Sequence, residues 1–225
     1  MRTEDKRRRP ANPAAAAVAM VFGVLSALGG LQHGIGEVLQ GNTPAGALVI
    51  NSWVQGPIAT NLGGEPGMTI IPNLLITGIA TIIICSALIL WSAVFVRRRI
   101  GAPIQLALSL AMLLVGGGFA PPVIGMLASL AAFGMHAGYK RWRARFSSTL
   151  RDFLAGSWPW LFGVTVLNGV FLVVGSVLLT VFFGLNAPDL FVWSFFFAVI
   201  SILLCIVSGI AHDIQKSPQT SGQGS

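Results

Sequence analysis

The chain has 225 residues, of which 54% are hydrophobic and only 9% charged. Soluble domains carry about 25% charged residues, so the surface cannot be mainly water-facing, and a soluble enzyme or binding domain is excluded. The net charge of +7 does not point to nucleic acid either. The basic residues lie in tight clusters beside apolar runs, where the phosphates they meet are those of lipid headgroups.

Residues 1–13 are a basic segment with Lys6, Arg7, Arg8 and Arg9, expected in the cytoplasm. The first apolar run, about 14–38, follows. Basic residues before an apolar run also open secretory signals, but this run is longer than a signal's apolar part, so an uncleaved span is expected. A helix needs about 20 residues to cross roughly 30 Å of hydrocarbon. The run ends in LQHGIGEVLQ, which places His33 and Glu37 one helical turn apart. Gly23, Ala27, Gly30 and Gly34 share a helix face whose small residues let a second helix approach closely. His33, Glu37 and Gln40 lie beside that face, so the pair is expected to point at protein near the outer end of the span.

Residues 41–68 read as an outer loop rich in Gly and Pro, with Trp53 and with Glu65 as its single charge. A second run, 69–96, is closed by Arg97, Arg98 and Arg99. The next apolar region, 102–138, would reach roughly 55 Å as one helix, and its middle reads VGGGFAPPVIG. Gly116, Gly117 and Gly118 lower helix propensity, while Pro121 and Pro122 interrupt the hydrogen-bond ladder. The region therefore splits into 102–117 and 121–138. These are either two short spans or a re-entrant hairpin whose tip stops inside the membrane.

Positive residues occur at 2–9, 97–99 and 140–151, with none between 10 and 96 or between 152 and 215. Positive-inside bias places all three clusters in the cytoplasm. That requires an even number of crossings between them, hence six segments with both termini inside. The segment 139–154 carries Trp142, Phe146, Leu150 and Phe153 at helical spacing, with Lys140, Arg141, Arg145 and Arg151 around them. It reads as a short interfacial helix on anionic lipid headgroups, or as a basic loop that only fixes orientation. Arg97–Arg99 and Lys140–Arg151 are the expected headgroup contacts.

Trp158 and Trp160 mark a headgroup-level entry into the span 158–184. The last span is 190–211, and 212–225 is expected to be a disordered tail. Asn168 is a strongly polar side chain within 158–184, suited to hydrogen bonding between helices or to lining a solute path. Ser194, Ser201, Cys205 and Ser208 form a small stripe best suited to packing. Cys85 and Cys205 both lie in apolar runs, which argues against a disulfide framework.

The expected fold is an all-α integral protein of the plasma (inner) membrane, and the excess of Arg over Lys with abundant Ala and Gly suits a prokaryotic gene. Three readings of His33 and Glu37 compete. They could lock the helix end by hydrogen bonding, hold a substrate at an outward vestibule together with Asn168, or ligate a metal with Glu65 or Asp189 as third ligand. No HExxH, GxSxG or Walker A pattern occurs, so no catalytic residue and no cofactor is implied. The expected function is passage of a small solute or ion. The alternative is a non-catalytic membrane component that packs with a partner, or with another copy, through its Gly-rich faces.

Overall fold

The structure, a computed structural model, describes residues 12–137, 139 and 147–216. Among them are helices α1 (Pro13–Leu39), α2 (Gly56–Asn61), α3 (Leu74–Phe95), α4 (Gly101–Leu114), α5 (Ala120–Gly134), α6 (Ser148–Phe183) and α7 (Pro188–Lys216). Strands β1 (Val49–Asn51) and β2 (Pro66–Met68) pair antiparallel, with Val49 opposite Met68 and Asn51 opposite Pro66. Helices α1, α3, α6 and α7 are long and apolar enough to cross a membrane, and α4 and α5 are shorter apolar helices. The chain is a mostly helical protein with the build of a membrane protein.

Local chemistry explains most boundaries. Pro13 opens α1, where its missing N–H costs nothing. Asn73 caps α3 by accepting from the Ile76 N–H at 3.1 Å. The predicted second run therefore starts as a helix at residue 74, and residues 69–73 are a bend between isolated bridges at Thr69 and Asn73. Gly116 and Gly118 adopt φ of +104° and +79°, conformations that side chains resist. These glycines form the turn between α4 and α5. Helix α7 continues to Lys216, so residues 212–216 of the predicted tail are helical, and residues 217–225 lie outside the described residues, as do 1–11.

Two connections carry structure of their own. The connection 41–68 contains the β1–β2 pair with α2 between the strands. The predicted interfacial segment 139–154 is described only in part. Residues 148–154 are the first turns of α6, capped by Ser147 accepting from the Leu150 N–H, and 140–146 lie outside the described residues.

Helix α1 is the centre of the bundle and packs against α3, α5 and α7. Its small residues Ala15, Ala16 and Ala19 meet Ala128, Ala131 and Cys205 in the main buried cluster, since small side chains let helix backbones approach closely. At one end of the bundle, the Asp213 carboxylate accepts from the Ala14 and Ala15 N–H groups at 2.9 and 3.2 Å, and the Asn12 N–H donates to the Met135 carbonyl. Gln215 also donates to Asp152 there, and Val96, next to Arg97–Arg99, joins the same cluster as Ala15 and Met135. We call this the basic end. The opposite end is covered by residues 41–72 and is called the roofed end.

Candidate functional site

The site forms at the roofed end because glycines let three backbones come unusually close. Gly34 of α1 and Gly78 of α3 cross so tightly that a side chain on either would press on the other's carbonyl. That crossing presents Thr77 and Thr81 of α3 toward Glu37. Two residues on, Gly36 sits directly beneath the Ser52 carbonyl and the Trp53 ring, so the roof can descend onto α1. Gln40 holds it there by donating to the Ser52 and Asn51 carbonyls at 2.9 and 3.1 Å.

The turn between α4 and α5 closes the third side. Gly116 lies against the Glu37 carboxylate, and a methyl group at Gly118 would overlap the His33 imidazole. The Ile70 N–H donates to the Leu114 carbonyl, Val115 bridges to Thr69, and Thr81 donates to the Val115 carbonyl. The hairpin tip is thus level with His33 and Glu37 and is bonded to the roof.

Within this enclosure His33 is 7% exposed and Glu37 is fully buried. They do not bond each other directly. Ser52 joins them, with its hydroxyl donating to Glu37 Oε1 at 3.2 Å and lying 2.8 Å from His33 Nδ1. A serine has one hydrogen, so with that hydrogen on Glu37 the contact to His33 needs an Nδ1–H donor. In the neutral ring Nε2 is then a bare acceptor. It faces Glu65 Oε2 at 3.7 Å, too long for a hydrogen bond. Burial pushes the Glu65 carboxyl up to about 7, because a charged carboxylate is poorly solvated there. Its Oε2 is buried and has no hydrogen-bond partner among the described residues.

His33 and Glu65 also line a cavity of about 490 Å³. No family model, curated protein or solved structure matches the chain. The function must therefore be argued from this geometry. Apart from Gln32, Ser26 and Ser176, the cavity's remaining walls are apolar, drawn from α1, α5, α6, α7 and the roof, and include Leu25, Ile124, Leu172 and Phe195. The volume falls in the usual range for small-molecule sites, and such sites combine apolar walls with a few polar groups. On the α6 side the helix widens into a π turn at Phe171–Gly175, and the Val173 carbonyl within it accepts from Gln32.

The candidate metal ligands lie on opposite sides of the His33 ring. Glu37 is reached from His33 through its Nδ1 side, by way of Ser52, whereas Glu65 faces Nε2. One ion cannot bind both nitrogens of one imidazole, so the three side chains do not converge. No group of three metal-ligating side chains occurs among the described residues. Asp189 opens α7 and is exposed.

Asn168 is not brought to the site. It donates to the Ser194 carbonyl at 2.9 Å and ties α6 to α7. The stripe of small residues on α1 is filled from within the chain, since Gly23 meets Ser92 and Gln105, and Gly30 meets Met112 and Cys85. Sequence reasoning missed Ser52, Thr69, Thr77 and Thr81, which look unremarkable in an apolar chain. It also missed Gln105, fully buried and donating to the Ala19 carbonyl at 2.9 Å. A glutamine inside an apolar run was the one available signal among these.

Proposed function

We propose that the protein is an integral membrane component that binds a small, largely apolar solute with one polar end, as a step in that solute's passage through the membrane. The observation that carries this reading is the 490 Å³ cavity with apolar walls and with His33 and Glu65 at one end. A structural lock alone would need no cavity beside it. Packing on a partner through the α1 glycines has no free stripe to use, because α3 and α4 occupy it.

The membrane placement belongs to the same proposal. Six apolar segments cross an inner membrane of a prokaryotic cell, and the basic end is cytoplasmic. Arg97–Arg99 and the Lys140–Arg151 cluster meet anionic headgroups, and the roofed end faces outward. What supports this is the positive-inside bias together with the common end shared by Val96, the α6 start and the α7 end. The basic end is filled by the small-residue core, so release toward the cytoplasm requires a rearrangement of α1 against α5 and α7.

The test is photolabelling of the full chain in lipid nanodiscs with a neutral aliphatic diazirine. Saturable labelling of Ile124, Leu172 and Phe195, lost in Leu172→Trp, is expected. Labelling confined to outward residues such as Trp160 and Phe182, which are 80% and 73% exposed, would sink the proposal.

A further inference from the structure

The cavity's rim and its unpaired acceptors together specify a class of solute. Resting on the solute-binding reading above, we propose that the cavity takes a single-chain amphiphile with a protonated amine head. It enters from the bilayer between α5 and α7, and Glu65 and His33 hold the head.

The rim comes first. Phe119, beside the start of α5, and Val192 and Phe196 of α7 all line the cavity. They are also exposed, at 41%, 51% and 52%. An opening edged by exposed phenylalanine and valine meets hydrocarbon at low cost and water at high cost. An acyl chain therefore reaches the apolar walls directly from the membrane.

The head follows from the acceptors. Among the described residues, Glu65 Oε2 is buried without a hydrogen bond, and His33, 7% exposed, makes no hydrogen bond at Nε2. The two atoms are 3.7 Å apart, so one nitrogen can lie within hydrogen-bond reach of both. An ammonium has three hydrogens and can serve both acceptors, whereas a hydroxyl has one hydrogen and serves only one. A carboxylate head would add negative charge beside Glu65.

Charge balance argues the same way. No lysine or arginine occurs at 10–96, 100–139 or 152–215, and the described ones, Arg97–Arg99, Arg151 and Lys216, belong to the basic end. The Glu65 carboxylate thus has no lysine or arginine partner among the described residues. A buried carboxylate is costly without a cation or several donors, and an amine head supplies both.

The experiment measures saturable binding of dodecylamine, dodecanol and dodecanoate to the full chain in phosphatidylcholine nanodiscs at neutral pH. Dodecylamine is expected to bind one per chain and at least tenfold more tightly than the other two. Glu65→Gln should weaken dodecylamine at least tenfold while leaving dodecanol unchanged, and Leu172→Trp should block all three. Thermal unfolding of both variants confirms that they fold. Dodecanol or dodecanoate equalling the amine, or Glu65→Gln without effect, overturns the amine head but leaves the cavity reading standing. Absence of saturable binding by any probe overturns the amphiphile as a class, and the diazirine labelling then decides separately whether the cavity is a site at all.

Discussion

At the scale of single residues, Gly118 shows how a small side chain can position a functional one. Its φ is +79°, and a Cβ there would collide with the His33 ring. Gly184 also has a left-handed φ, +63°, but has open space around it. Both Gly→Ala changes incur the left-handed penalty of about 1–2 kcal/mol. Gly118→Ala adds the steric conflict and should cost at least about 1 kcal/mol more than Gly184→Ala, read as the difference in unfolding midpoint in matched nanodiscs. Equal losses would show that the turn does not press on His33.

Glu65 is unusual in a second way, since its φ of +49° is left-handed for a residue with a side chain. It follows Gly63 and Gly64, both also left-handed, so the chain is coiled tightly to aim this carboxyl inward. The group's affinity for its proton rises from an ordinary 4.5 to about 7 on folding. The folded state therefore holds the proton more tightly than the unfolded state. Its stabilising contribution is complete below about pH 4.5 and is lost as pH rises through about 7. His33 faces it from α1, with Glu37 beyond the ring on the Nδ1 side, whereas α5, α6 and α7 line the adjoining cavity with uncharged residues. The melting temperature of the native chain should therefore fall between pH 5 and 8 relative to Glu65→Gln. Parallel pH profiles for the two proteins would refute this assignment.

At the scale of elements, α1 starts without its own cap, since Asn12 makes no capping bond with its side chain. The cap comes instead from Asp213, almost 200 residues later, whose two oxygens take the Ala14 and Ala15 N–H groups. A carboxylate at a helix N-terminus is favoured both by these donors and by the helix dipole. Asp213→Ala leaves two buried N–H groups without acceptors and should cost about 2 kcal/mol. Asp213→Asn, which keeps one oxygen, should lose less. Urea unfolding of the two variants in matched micelles checks the order, and an Asn variant as weak as Ala would contradict it. The α4–α5 hairpin is another element-scale result. Its broken centre is legible from three glycines and two prolines, but its place against Glu37 and the roof is not.

At the scale of the whole molecule, the two ends differ in kind. The described arginines and Lys216 gather where α1 begins and α7 ends, and the roofed end carries His33, Glu37 and Glu65. Cys85 and Cys205 are fully buried, so an impermeant maleimide reads an introduced cysteine without removing them. Leu48→Cys, on the roof and 65% exposed in the native residue, should label in intact cells. Arg98→Cys should label only in inverted vesicles. Labelling of both from one side would rule out the proposed spanning arrangement.

The sequence by itself determined the class of protein, the apolar segments, the Gly/Pro break and the candidacy of His33, Glu37 and Glu65. Those features depend on length, local composition and side-chain chemistry, which are written residue by residue. Only the tertiary structure decided that Ser52 joins His33 to Glu37, that Glu65 faces the opposite ring nitrogen, and that Asn168 serves the α6–α7 contact instead. The physical reason is that these relations are set by backbone approach at Gly34, Gly36, Gly78, Gly116 and Gly118. A glycine announces that close approach is allowed, but the partner it admits comes from a distant part of the chain.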